Sequence, residues 1–241
     1  MINSMTYKEV YDIAVPRKKR EMEKWNLFAA NIGRPISVVM TIPLVNSKIK
    51  PITVTFWSVV AAFFGAAFMS FGGTVYWCVV GWFFFFLWNL LDGVDGNLAR
   101  CQNTCSKRGE LWDAFGGYAA LVLTYISISI ASYNDTYDLI ILDKHWILIF
   151  GGLTSVLAIF PRLIFQKKLN LGIDENKTNS LRDKKNFDLK QIIALNIISA
   201  TGLMQPIILV CILLHALSLF VVTYFVFNLF ITLVSLVKLL K

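Results

Sequence analysis

The apolar positions of this chain fall into long runs with few interruptions rather than the one-sided stripes of helices in a soluble domain. Six runs read as helices: about Pro51 to Phe71, Val75 to Leu91, Leu111 to Ser132, His145 to Phe165, Leu189 to Leu213 and Leu217 to Leu240. A helix needs about 20 apolar residues to cross a hydrocarbon core, and these runs approach or exceed that length. Gly72 and Gly73 make the short turn of a helical hairpin between the first two. The stretch Trp25 to Val45 is different. Phe28, Ile32, Ile36 and Val39 recur at helical spacing, but Asn31, Arg34, Pro35 and Pro43 interrupt them. This pattern suits an amphipathic helix lying in the interface better than a seventh span. The expected architecture is therefore an all-α integral membrane protein, with six transmembrane helices and an N-terminal interfacial helix. Residues 1–50 form the N-terminal segment and 51–241 the transmembrane domain.

Charge orients the spans. Arg17 to Arg20, Arg34, Lys48, Lys50, Arg100, Lys107, Arg108, the segment from Arg162 to Lys190, Lys238 and Lys241 all fall on one side of a six-span arrangement. Of 23 Lys and Arg residues, only Lys144 falls on the other side, in a loop with Asp135, Asp138 and Asp143. By the positive-inside rule the basic side, with both termini, is cytoplasmic, in an inner-membrane type of location. The polar loop from Lys167 to Lys190 reads as solvated and topology-setting.

Composition agrees: 56% of the 241 residues are hydrophobic and 16% charged, against roughly 25% charged in soluble domains. The net charge of +8 would suit nucleic acid in another context. Here the basic residues flank apolar spans, so anionic lipid head groups and phosphorylated substrates are the expected partners, with no nucleic acid. No apolar run of signal-peptide type occupies the first twenty residues. Cys78, Cys101, Cys105 and Cys211 lack metal-site spacing and read as free thiols.

The chemistry-bearing residues lie where the second run ends. Asp92 and Asp95 stand three apart, so on a continuing helix their carboxylates share a face. Asp113 follows at the start of the third run, after Gly109 and Glu110. Acids at membrane depth are costly and mark ion or substrate sites. Three converging carboxylates repel one another unless a cation lies between them, and oxygen-only ligands suit Mg²⁺ or Mn²⁺. Gly93 and Gly96 leave the acid-bearing turns without side chains, which would let a phosphorylated ligand approach the backbone. Arg100 offers a planar, permanently charged fork for phosphate oxygens. Lys107 and Arg108 serve as positive-inside anchors.

In register, the chain holds Asp92, Asp95, Gly96, Ala99 and Arg100, then a gap of eight residues, then Gly109 and Asp113. This pattern resembles the signature of the CDP-alcohol phosphotransferases (CDP-alcohol phosphatidyltransferases). The Lys50 to Thr55 segment resembles that family's entry to its first span, and Arg34-Pro35-Ile36-Ser37 an element of some members. The resemblance implies a Mg-dependent membrane transferase. A hydroxyl acceptor, lipid or polar alcohol, attacks the β-phosphorus of a CDP-alcohol, a substituted phosphate is transferred, and CMP leaves. It implies Asp92, Asp95 and Asp113 as metal ligands, a cytidine-diphosphate pocket shaped by Gly96, Ala99, Arg100 and Gly109, a role in phospholipid biosynthesis, and a homodimer.

One position departs from the family pattern. The signature's fourth Asp, assigned there as general base, corresponds to Gly117. The donor half of the site is intact and the acceptor-activating half is altered. Glu110, three residues before Asp113, is the candidate replacement base beside Asp113 itself. Substrate assistance, or an acceptor that is already anionic, are the other options. Arg34, Arg162, Lys167 and Lys168 are candidate contacts for an acceptor phosphate. Asn196, Ser199, Thr201 and Gln205 either line the cavity or join helices. Competing readings are a pseudoenzyme that binds CDP-alcohol and metal without transfer, a variant acting on glycan acceptors, and a small transporter. The last is disfavoured because the acids sit at span ends and no internal repeat is visible.

Overall fold

A computed structural model of the chain describes residues 5–71, 74–139, 143–172, 196–197, 199 and 201–240, apart from the side chains of residues 18, 19, 22, 169 and 238–240. Every regular element among them is helical. The elements are α1 (Tyr7–Ala14), α2 (Arg17–Glu23), α3 (Arg34–Val45), α4 (Pro51–Ser70), α5 (Val75–Cys101), α6 (Lys107–Asn134), α7 (Lys144–Asn170), α8 (Met204–Leu213) and α9 (Leu217–Leu240). Five of them, α4 to α7 and α9, are long and apolar enough to cross a membrane. The protein is thus a helical integral membrane protein.

The expected spans and the observed helices differ in instructive ways. The second run, expected to end near Leu91, continues as helix α5 to Cys101 and carries the whole acidic motif. Four of its last residues, Gly93, Gly96, Asn97 and Asp95, are poor helix formers, and tertiary contacts outweigh their propensity. The helix ends where Asn103 adopts a positive φ of 53°, with the Thr104 N–H bonded to the Ala99 carbonyl. Ser106 then caps α6, its Oγ accepting the Gly109 N–H at 3.1 Å. Of the run expected over 189–213, residues 189–195, 198 and 200 lie outside the described residues. Within the rest, a turn at Thr201–Leu203 precedes the ten-residue α8. The Leu203 N–H bonds back to the Asn196 carbonyl there. Beyond residue 172, the polar loop up to Lys190 also lies outside the described residues.

The N-terminal segment holds more helix than its periodicity suggests. A π-helical turn at Ala29–Gly33 leads into α3, and the Arg34 N–H reaches the Ala29 carbonyl five residues back. Pro35 follows at once and has no N–H to give, so a widened turn before it is a natural accommodation. Ile32, Ile36 and Val39 are exposed, while Ser37, Val38, Thr41 and Val45 are buried. Upstream, α1 begins with a capping box in which the Thr6 side chain and the Glu9 carboxylate each bond the other's backbone N–H. The Thr6 N–H holds the exposed Glu9 carboxyl below its usual range.

The chain divides into two compact units. The first contains residues 1–64, 83–120 and 187–205. Its core is aliphatic: Val10, Ala14 and Val15 of the N-terminal segment pack with Val38, Val45, Val54, Val94 and Leu98. A Cβ at Gly93 would lie 3.0 Å from the Ser37 Cβ, so Gly93 lets α5 approach α3 closely. The glycine expected to make room for ligand therefore serves helix packing. Asn26 and Asn196 tie the ends of this unit together. The Asn196 amide accepts the Leu27 N–H at 2.8 Å and donates to the Trp25 carbonyl at 2.5 Å, and Asn26 donates to Thr201 at 3.4 Å. Ser199 bonds Thr201 at 2.9 Å.

The second unit contains residues 65–82, 121–186 and 206–241. Here α7 packs against α9, with Phe150 stacked on Phe225 at 4.6 Å and the Thr232 hydroxyl bonded to the Leu157 carbonyl at 2.9 Å. Asp138 accepts bonds from Ser132 Oγ and from the Ser218 N–H and hydroxyl. His215, with φ of 51°, bonds Asp135 at 2.9 Å. At Gly81 a Cβ would lie 2.6 Å from the Met69 backbone N and 2.8 Å from the Gly65 carbonyl oxygen. Small residues at such crossings let backbones meet. Gly81→Ala is therefore expected to destabilise the fold by about 1–3 kcal/mol, read as a lower thermal unfolding midpoint of the detergent-solubilised protein. An unchanged midpoint would show that this crossing tolerates a methyl group.

Candidate functional site

All the residues singled out around the acidic motif lie in the first unit. Because α5 continues unbroken, Asp92, Asp95 and Arg100 project from one helix, while Glu110 and Asp113 belong to the first turns of α6. Asp95 is 5% exposed. Its Oδ2 accepts the Thr55 hydroxyl at 2.6 Å. Burial and the Thr55 bond hold this carboxylate in place, so its remaining lone pairs point in a fixed direction. Asp113 and Arg100 both lie within electrostatic reach of it. Asp113, by contrast, is exposed, and Asp92 is half-buried one turn before Asp95.

The fit of a divalent cation is mixed. Oxygen-only donors on two successive helices are the right chemistry for Mg²⁺. Among the described residues, however, no three His, Cys, Asp or Glu side chains are gathered closely enough to enclose an ion. Asp92 and Asp113 would have to close toward the fixed Asp95.

Arg100 is held at both edges. Its Nε donates to the Ala14 carbonyl at 2.6 Å and its Nη2 to Asn97 Oδ1 at 3.1 Å. The guanidinium lies over Gly96, where a Cβ would stand 3.3 Å from Nη2 and 3.4 Å from Nη1. The space above Gly96 is thus taken by the motif's own arginine, and any substituent there would displace it. Arg34 forms a bidentate pair with Glu23, Nε at 3.0 Å and Nη2 at 2.6 Å, and also donates from Nη1 to Asn97 Oδ1 at 3.1 Å. Gly109 makes the α6 cap with Ser106, and Ala99 is half-buried. At Gly117 a Cβ would meet nothing within 4 Å.

Sequence reasoning missed Thr55, Asn97, Glu23 and the Ala14 carbonyl. Thr55 lies in the Lys50–Thr55 segment noted for its resemblance, but nothing there pointed to Asp95. The others act across the fold and leave no local trace. Arg162 and Lys167, exposed on α7, and His145 belong to the second unit. The four cysteines are free thiols.

Membrane-length helices, with acids and arginines collected where α5 meets α6, define a membrane protein built to handle charged groups at a helix end. Residues 48–234 match the sequence profile of the CDP-alcohol phosphatidyltransferases, and the chain belongs to that family of phosphotransferases. A comparison with curated proteins gives no match.

Proposed function

We propose that this chain transfers a substituted phosphate from a CDP-alcohol to a hydroxyl acceptor and releases CMP, serving phospholipid biosynthesis. Family membership supplies the donor class, and the observation that carries the reading is the buried Asp95 carboxylate, bonded by Thr55 and within electrostatic reach of Asp113 and Arg100. Asp92, Asp95 and Asp113 would hold Mg²⁺ or Mn²⁺, which when bound supplies charge neutralisation on the donor diphosphate. Arg100, pinned over Gly96, presents its guanidinium to phosphate oxygens as charge shifts to the leaving CMP. The backbone around Gly96, Ala99 and Gly109 shapes the nucleotide pocket. Asp113 and Glu110, in the first turns of α6, serve the acceptor: Glu110 takes the proton from its hydroxyl as the new bond to phosphorus forms. The bias of basic residues supports a site facing the cytoplasm, and a homodimer of six-span subunits is the proposed assembly.

Gly117 supports a second reading, a protein that binds CDP-alcohol and metal without transfer. Purified protein offered a panel of CDP-alcohols with membrane extract distinguishes the two. Metal-dependent CMP release, abolished by chelation, is the expected result. CDP-dependent thermal stabilisation with no CMP from any donor would establish the second reading, and absence of both would remove the first as well.

A further inference from the structure

Asn97 is fully buried, yet its side chain uses both of its ends. Its Oδ1 accepts from Arg34 Nη1 and Arg100 Nη2, each at 3.1 Å. Its Nδ2 donates to Ser37 Oγ at 3.3 Å and Thr41 Oγ1 at 3.4 Å. Two guanidiniums thus converge on one amide oxygen, an arrangement that like-charge repulsion opposes and charge-assisted hydrogen bonds offset. Within this hydrogen-bonded cluster they face a single carboxylate, Glu23, while Asp95 lies within electrostatic reach of Arg100 from outside it. Arg100 also has donors to spare. Its bonds go from Nε and Nη2, which leaves Nη1, over Gly96, for a ligand.

We propose that Asn97 is a positioning residue that joins Arg34 and Arg100 into one paired guanidinium fork for a phosphate oxyanion, with Glu23 as the internal counter-charge. This rests on the reading above that the site handles phosphate. Arg34, Glu23 and the Ala14 carbonyl all precede residue 48, where the family match begins. The chain's own N-terminal segment therefore supplies half of the fork. The oxyanion could belong to the donor's diphosphate or to a phosphate on the acceptor, and the fork would recognise either.

The test is calorimetric titration of the full-length protein in detergent with pyrophosphate, CDP and glycerol 3-phosphate. Asn97→Leu, which deletes the shared acceptor, is expected to weaken pyrophosphate binding about tenfold. Thr41→Val, which trims only the far side of the amide, should change it less than about twofold. Glu23→Gln keeps an acceptor for Arg34 but removes the counter-charge, so binding should tighten about threefold. That gain also decides the matter if Asn97→Leu fails to fold, because a purely structural network predicts a loss. Wild-type affinity in Asn97→Leu, equal losses in Asn97→Leu and Thr41→Val, or weaker binding in Glu23→Gln overturns the proposal. Of CDP and glycerol 3-phosphate, the ligand that Asn97→Leu weakens identifies the source of the oxyanion. Wild-type binding of pyrophosphate but not CDP would remove the functional reading and leave the fork standing. Binding of none of the three removes both.

Discussion

Asp95→Asn is expected to lower CMP release by roughly 10²–10³-fold, the range typical for removing one pre-organised electrostatic group. The substitution keeps the size of the side chain and retains an oxygen to accept the Thr55 hydroxyl, bonded at 2.6 Å in the wild type. Packing around this 5% exposed residue should therefore survive. What disappears is the charge. In the proposed mechanism that charge is one of three answering a cation, and it is the only one of the three fixed by burial. Asp113 is exposed and Asp92 half-buried. Removing the rigid member should thus cost more than removing either of the others, a ranking that electrostatics alone would not give. Two readings on one preparation check it: CMP release, and the Mg²⁺-dependent rise in unfolding temperature, which should vanish. Turnover within tenfold of wild type would mean that Asp95 only shapes the helix end. A larger loss for Asp113→Asn would mean that the exposed carboxylate, not the buried one, dominates the site.

That ranking could not have been drawn from the sequence, although the motif could. Acids at the ends of apolar runs are visible because each contradicts its surroundings: Asp92, Asp95 and Asp113 have no reason to be there in a simple anchor. The membrane class was equally legible, since run length is a local property. The partners that make the motif work are another matter. Thr55, bonded to Asp95 from α4, looks like any small polar residue at the head of an apolar helix. Asn97 sits at an unspecified position between Gly96 and Ala99, and its importance arises only because α3 brings Ser37, Thr41 and Arg34 against it. The hydrophobic pattern and the end of α5 differ for a physical reason as well. Polar residues and glycines from Asp92 onward ended the hydrophobic pattern, which reports on lipid and core contact, while the backbone continued helical to Cys101. Gly93 shows the same confusion in miniature. Its lack of a side chain suggests space for a ligand, and the structure fills that space with Ser37.

The acceptor half yields the other large effect. Glu110→Gln is expected to slow CMP release by roughly 10²–10⁴-fold, the usual contribution of a general base, while leaving CDP binding unchanged. Glu110 is exposed in the first turn of α6, three residues before Asp113, and Gly117 follows Asp113 by four. On one helix these three positions fall close to a single face. A base removed from Gly117 could therefore be replaced one turn before Asp113 instead of one turn after it. The open space at Gly117, where a Cβ meets nothing within 4 Å, means that a carboxylate can be returned there without a backbone clash. Gly117→Asp in the Glu110→Gln background should then recover most of the lost rate, since either position can offer a carboxylate to the same acceptor hydroxyl. Full activity in Glu110→Gln would move the proton to the substrate or to Asp113. An inactive wild type that gains turnover from Gly117→Asp alone would show that Gly117 had silenced the site, and that the chain binds its CDP-alcohol without transferring it.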